Sequence, residues 1–357
     1  MNLLPTYFPI LTQHLPYISL GQFPSPIQKI DSLSETGSSS NSLFIKRDDI
    51  SGSVYGGNKV RKLEFLLADA MQKGAKRIIT SGAVGSNHAL ATALYGRQCG
   101  FKVTIMLFGE QFGEHVEKNL LADYASSAEM CYSTTYEEHL KALESKLAFY
   151  KERDSIAPYL IPAGGTSPLG VAGYLNAAFE LKSQINKGEI PEPDTIFMPL
   201  GTMGSAIGLL MGLKAAKINS TLIAVQVVPS FVADIDKCKK LFTAANEYFH
   251  SLDKTFPYIS LENTDFQIET NYLGKGYGIV TDEAKSSIKT FNKIGISLDG
   301  VYSGKTAAAM IHYLEHNESK TVLFWNTKNS IPLNCYKGNR SDLPGAFHRF
   351  FKSDAQS

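Results

Sequence analysis

At 357 residues and 39.1 kDa the chain is long for a single hydrophobic core, which predicts two domains. A hydrophobic fraction of 43% and a charged fraction of 19% exclude a disordered chain, while 35 basic against 34 acidic residues provide no field that would steer it toward nucleic acid or an anionic membrane. Cys99, Cys131, Cys238 and Cys335 form no CxxC pair, so reduced thiols in a cytoplasmic protein are expected rather than a disulfide framework or a cysteine-bound zinc.

The eight histidines show no HExxH or other ligand spacing, and no metal is expected. Met1 to Ile10 lacks a basic leader and is broken by prolines, which makes a poor signal peptide. No later segment approaches the roughly 20 apolar residues that span a bilayer. The first 40 residues read as an irregular lead-in, with a turn at Gly37 to Ser42. Leu43-Phe44-Ile45-Lys46-Arg47-Asp48 predicts a short strand.

A helix–strand alternation follows. Val60 to Lys73 predicts a helix closed by Gly74, Ala75 to Thr80 a strand, Ser86 to Gln98 a small-residue helix, and Lys102 to Phe108 another strand. Further helices are expected over Glu117 to Tyr124 and Glu137 to Tyr150. A second stretch opens at Tyr159-Leu160-Ile161 and gives a helix over Gly170 to Ile185 and a strand over Asp194 to Leu200. An apolar helix through Leu213 follows, then a strand over Leu222 to Val228, helices over Val232 to Phe249, Asp282 to Lys293 and Thr306 to Glu315, and a strand over Lys320 to Trp325. The rhythm is that of an α/β protein in two parts, with parallel sheets covered by helices and no internal repeat. Sites in such folds lie outside the carboxyl ends of the strands.

Four segments could carry chemistry. Lys59, in Gly56-Gly57-Asn58-Lys59-Val60-Arg61-Lys62, stands where a loop becomes a helix, with Lys62 one turn on. A deprotonated amine there could form a Schiff base with an aldehyde; the plain alternative is a solvated basic helix start, which the helix dipole disfavours. Ser86 or Asn87, before His88, suits an N-cap, and the free N–H groups of such a terminus accept a carboxylate or oxyanion. Gly201-Thr202-Met203-Gly204-Ser205 follows a strand and precedes a helix, the general design of a phosphate cradle, although it is neither a Walker A loop nor GxGxxG. Tyr277 lies among Gly274, Gly276 and Gly278, and Tyr302 in Val301-Tyr302-Ser303-Gly304-Lys305; glycines round Tyr277 suit close approach of backbone to a ligand.

Taken in order, these segments resemble the pyridoxal-phosphate enzymes of the tryptophan-synthase-β fold, in the branch that holds the D-cysteine desulfhydrases and the 1-aminocyclopropane-1-carboxylate deaminases. Ile45-Lys46-Arg47-Asp48-Asp49, Gly57-Asn58-Lys59, Gly85-Ser86-Asn87-His88, Pro162 to Gly170, the Gly201 loop and Val301 to Lys305 carry the resemblance over most of the chain. It implies a two-domain, fold type II α/β enzyme, each domain an open, mostly parallel sheet flanked by helices. Residues 1–56 and 162–357 would form the larger, cofactor-binding domain. Residues 57–161 would form a smaller one that contributes the Schiff-base lysine and the substrate loop.

The resemblance makes pyridoxal 5'-phosphate the cofactor and Lys59 the lysine of its internal aldimine. Asn87 would bond the ring hydroxyl, Gly201, Thr202, Met203, Gly204 and Ser205 would hold the phosphate with Lys62, Tyr302 would lie against the ring, and Thr327 would face the ring nitrogen. Ser86, Asn87, His88, Thr166 and Tyr277 would meet the substrate, with Lys59, Ser86, Tyr277 and Tyr302 as the catalytic set. A homodimer is implied too.

The activity expected from the resemblance is α,β-elimination from D-cysteine to pyruvate, hydrogen sulfide and ammonia. The alternatives are a 1-aminocyclopropane-1-carboxylate deaminase, an eliminase for D-serine or β-chloro-D-alanine, and a non-catalytic binding homologue. The deaminases place a glutamate where this chain has Ser303, which favours the desulfhydrase side. Beyond Thr327 the family's His-Thr-Gly-Gly becomes Asn326-Thr327-Lys328-Asn329, which alters a loop at the cofactor's edge. A nicotinamide-dependent dehydrogenase would need a first-strand GxGxxG and an acidic ribose partner, and neither stands in the required context.

Overall fold

Ten strands form among the residues described by the computed structural model, which are all but 32, 34–40, 110, 319, 335–337 and 352–357. In chain order they are β1 (Ile27–Ile30), β2 (Ser42–Lys46), β3 (Arg77–Ala83), β4 (Lys102–Phe108), β5 (Glu129–Ser133), β6 (Tyr159–Ile161), β7 (Thr195–Leu200), β8 (Thr221–Gln226), β9 (Phe266–Glu269) and β10 (Thr321–Trp325). The chain divides into two units: Met1–Leu15, Gly21–Phe65 and Ser167–Ile331 make the first, and Pro16–Leu20, Leu66–Thr166 and Pro332–Ser357 the second.

The first unit is built on a six-stranded sheet in the order β1-β2-β10-β7-β8-β9, parallel except for the β1–β2 pair. Its central strands are apolar runs rather than alternating ones, as expected where helices cover both faces. Leu43, Ile45, Phe197, Val225, Val322 and Phe324 of the sheet pack with Phe291, Ala307 and Met310 of two helices in one buried cluster. The Pro168–Asn186 and Gly204–Ala215 helices interlock through small residues. A side-chain carbon at Gly212 would come within 2.6 Å of the Ala178 methyl, and one at Gly208 would strike the carbonyl of Val171.

The second unit holds a four-stranded parallel sheet, β5-β4-β3-β6. Ile79, Met106 and Tyr150 form a small buried cluster that joins it to the Tyr136–Asp154 helix. The segment after Ile331 ends in aromatic anchors: Phe350 packs on Phe112 and Tyr132, and Phe347 on Tyr132.

Both sheets are open and mostly parallel, as expected. The division between units differs from the expected one. It falls inside the Asn58–Gln72 helix, between Phe65 and Leu66, so Lys59 sits in the larger unit, and residues after 331 join the smaller one. The irregular lead-in contains two short helices, Leu4–Tyr7 and Pro9–His14, each started by a proline in its first turn. The expected turn at residues 37–40 lies outside the described residues, as does Cys335; Cys99, Cys131 and Cys238 are free thiols. Among the described residues, no helix is long and apolar enough to cross a membrane.

Candidate active site

β7 ends at Leu200, and the chain turns through Gly201 to Met203 into the Gly204–Ala215 helix. Met203, at the cap position, has φ +67°, a left-handed conformation that costs a non-glycine residue roughly 1–2 kcal/mol. Such strain persists where the surroundings over-determine it, and it is common at ligand clamps. Gly204 N donates to the Thr202 carbonyl at 2.8 Å, no side chain caps this helix start among the described residues, and a helix start of this kind favours an anion.

The Asn58–Gln72 helix is joined to this loop at its first residue, where Asn58 Nδ2 donates to Ser205 Oγ at 3.0 Å. The turn before it is fixed backbone by backbone. Gly57 N donates to the carbonyl of Asp48 at 2.7 Å and Asn58 N to that of Thr327 at 3.2 Å. Gly57 is required here twice over: its φ is +86°, and a side-chain carbon would lie 2.5 Å from the Thr327 carbonyl. The Asn329 side chain closes the set by accepting from Gly56 N at 2.6 Å.

Lys59 and Lys62 are one turn apart on this helix. Burial pulls the Lys59 ammonium down to about 8, although its side chain retains some exposure. Lys62 is fully buried, and burial together with the neighbouring Lys59 charge takes its amine well below the ordinary lysine range. Two desolvated amines on the helix that bonds this loop form a set that an anionic group would relieve.

The helix is anchored at Arg61, between the two lysines. Arg61 reaches Asp48 with Nε at 2.8 Å and Nη2 at 2.7 Å, and Glu180 with Nη1 at 3.0 Å. Lys46 donates to Glu180 at 2.5 Å and also bonds Gln184. Tyr174 OH and Trp325 Nε1 each complete Asp48 at 2.8 Å. This buried network, which sequence reasoning missed, joins β2, the lysine helix, the Pro168–Asn186 helix and β10. Its members lie up to 277 residues apart, and no local pattern announces it.

Tyr277 and Tyr302 meet hydroxyl to hydroxyl at 2.5 Å, with ring centroids 6.0 Å apart at 76°. The Tyr302 ring also backs the phosphate-type loop, 3.4 Å from where a side-chain carbon on Gly201 would sit. Burial raises both phenols. The bond from Tyr302 partly offsets this at Tyr277, whereas Tyr277 adds to it at Tyr302.

Two residues passed over in the sequence hold the pair. Asp299 accepts from the backbone N–H groups of Val301 at 2.9 Å and Tyr302 at 2.6 Å and from Ser303 Oγ at 2.7 Å. Lys305 donates to the Leu273 carbonyl at 2.7 Å and ties down the loop that carries Tyr277. An acidic residue just before a helix could have pointed to Asp299. The glycines round Tyr277 have positive φ, +67° at Gly274, +150° at Gly276 and +82° at Gly278, and the space beside Gly276 is open.

The first unit thus holds Lys59, Lys62, Gly201 to Ser205, Tyr277, Tyr302 and Thr327; Asn58 bonds Ser205 and the Thr327 carbonyl, and Tyr302 joins Tyr277 to the Gly201 loop. Ser86, Asn87, His88 and Thr166 belong to the second unit. There Ser86 caps the Asn87–Gln98 helix, accepting from Ala89 N at 3.2 Å. Asn87 Oδ1 accepts from Asn119 Nδ2 at 2.9 Å, and the same amide reaches the Gly85 carbonyl at 2.8 Å. His88 is buried beside Thr92, and Thr166 is half-buried after the Ala163–Gly165 turn.

A family model described as pyridoxal-phosphate dependent enzyme matches residues 18–328. A Thermotoga maritima protein named "Putative 1-aminocyclopropane-1-carboxylate deaminase" is 33% identical over 317 residues, which cover 87% of this chain and 95% of that one. A Pyrococcus furiosus protein of the same name is 32% identical, covering 89% and 93%. The solved structure of an ACC deaminase homologue superposes with a TM-score of 0.76 at 30% identity, covering 91% of this chain and 94% of its own. With the two open parallel sheets and the lysine beside a phosphate-type loop already in place, the chain belongs to the pyridoxal-phosphate-dependent enzymes of fold type II, related to the 1-aminocyclopropane-1-carboxylate deaminase-like proteins.

Proposed function

We propose that this enzyme is a deaminase of small amino acids, with 1-aminocyclopropane-1-carboxylate as the first substrate and 2-oxobutanoate and ammonia as the products. The carrying observation is the Lys59 amine, held to about 8 at a helix start bonded to the Gly201–Ser205 loop. The relatives' names put this substrate ahead of D-cysteine.

The residues fit pyridoxal 5'-phosphate. Lys59 would attach its aldehyde, and the loop with Lys62 would take its phosphate. Thr327 would face the ring nitrogen, Tyr302 the ring, and Asn87 the ring hydroxyl. When bound, the cofactor supplies an electron sink for bonds broken at the substrate's α-carbon.

The chain's own part is orientation and proton handling. An amine near 8 exchanges a proton close to neutral pH, which suits a base at Cα. The Tyr277–Tyr302 pair, its phenols raised by burial, stays protonated across the neutral range and can donate toward a leaving carbon or sulfur. Ser86, His88 and Thr166 are assigned to the substrate carboxylate and its surroundings. We assign the enzyme to the cytoplasm as a homodimer; sedimentation giving only monomer at micromolar concentration would count against the dimer.

A second reading, α,β-elimination from D-cysteine, rests on Ser303. Its hydroxyl is buried and engaged with Asp299 at 2.7 Å, so no carboxylate follows Tyr302 where the deaminases carry one. A substrate panel separates the two. 2-Oxobutanoate from the cyclopropane amino acid supports the first, and pyruvate with sulfide from D-cysteine supports the second. Turnover of neither by the yellow holoenzyme would refute both.

A further inference from the structure

The last turn of the Ser303–His316 helix corrects the expectation that the histidines show no ligand spacing. His312, Glu315 and His316 stand at positions i, i+3 and i+4, so all three side chains leave one face of the helix. Their ligand atoms all lie within 4.8 Å of one another, and all three residues are exposed. His312 Nδ1 is 3.9 Å from Glu315 Oε2, and the two imidazole rings are 4.3 Å apart.

A second observation fixes the chemistry of one ligand. His316 Nδ1 lies 2.7 Å from the carbonyl oxygen of His312. A carbonyl can only accept, so Nδ1 carries the proton and Nε2 keeps its lone pair for a Lewis acid. Metal-bound histidines use this same backbone bond to set tautomer and ring orientation. The surroundings favour a cation as well. The final helical turn carries the negative end of the helix dipole.

We propose that His312, Glu315 and His316 bind a divalent transition-metal ion, through two imidazole nitrogens and one carboxylate oxygen with solvent completing the shell. Two nitrogens and one oxygen suit zinc(II), nickel(II) or copper(II), whereas magnesium and calcium favour oxygen alone. The site shares no residue with the Lys59 constellation, and it stands or falls independently of the substrate.

The test is calorimetric titration of the holoenzyme with zinc chloride in a non-coordinating buffer. One zinc ion should bind per chain. Either His312→Ala or His316→Ala should abolish that binding, and Glu315→Gln should weaken it about tenfold. Thermal unfolding without zinc should be unchanged in these exposed-site variants, which separates loss of a ligand from loss of the fold. No uptake by the wild-type enzyme at millimolar zinc would overturn the proposal. So would unaltered binding in the double histidine variant.

Discussion

A lysine whose ammonium titrates near 8 in the folded chain and near 10.5 when unfolded weighs against the cofactor-free fold at neutral pH. Between those values the unfolded state holds more protons than the folded one, so stability should rise as pH climbs from about 8 to about 10.5. Lys62, also lowered by burial, adds to the same trend. Replacing the amine with an apolar chain of similar length should therefore stabilise the fold while removing the chemistry. We predict that cofactor-free Lys59→Met melts higher than cofactor-free wild type below pH 8 and shows a flatter rise above it, and that the variant supplied with cofactor turns over roughly 10²–10⁴-fold more slowly than wild type. Melting curves across that range check it, and an unchanged rise in the variant would mean that another group titrates. Lys59 was readable in the sequence because its two glycines and the start of an apolar-periodic helix are contiguous. The roles of Asp299 and Lys305 were not, because each acts on backbone groups whose importance emerges only once the chain has folded. Asn329 stood out in the sequence as a departure, but its partner did not: its side chain holds Gly56 N at 2.6 Å.

At the scale of elements, the strands that could be read were those buried on both faces. β7, β8 and β10 are buried, mainly apolar runs after an opening threonine, as expected of parallel strands between helices. The missed strands, β1, β5, β6 and β9, all lie at sheet edges, where one side lacks a partner and polar residues such as Gln28, Lys29, Glu129 and Gln267 are tolerated. The Gly204–Ala215 helix was recognisable as apolar, but the reason for its glycines was not. Gly208 and Gly212 allow it to press against the Pro168–Asn186 helix, and the same helix begins at the candidate phosphate loop. A side chain at Gly208 meets backbone, at Val171, which cannot swing aside as a flexible side chain would. Gly208→Val should therefore cost about 1–3 kcal/mol by overpacking. It should also weaken cofactor affinity, because the helix start must shift with its body. Denaturant unfolding of the cofactor-free protein and titration with pyridoxal phosphate measure the two effects separately. A variant that loses stability but binds cofactor normally would show the helix start to be held by the loop alone.

For the whole molecule, the sequence pointed to two open parallel sheets but placed the division between units some nine residues too early. The Asn58–Gln72 helix runs unbroken through the boundary, so composition gives no mark of it. What assigns its first turns to the larger unit is Arg61, locked between Asp48 and Glu180. The C-terminal segment goes with the smaller unit for an equally non-local reason, the seating of Phe347 and Phe350 on Tyr132. The Arg61 network also makes a prediction about acid. Burial opposes ionisation of Glu180, but the charges of Arg61 and Lys46 outweigh it and hold the carboxyl at about 2, against an ordinary value of 4.5. Because the folded value is depressed, the stabilisation is complete above about 4.5 and is lost as pH falls toward about 2. Its size is on the order of 3 kcal/mol. Glu180→Gln removes that titration and leaves Lys46 and Arg61 short of one counter-charge, which should cost about 3–5 kcal/mol at neutral pH. The variant should thus be much weaker than wild type at pH 7, yet the gap should narrow as both are acidified. Parallel loss at all pH values would instead mean that Glu180 contributes hydrogen bonds and packing without its charge, and that the lysine helix is fixed by Asp48 alone.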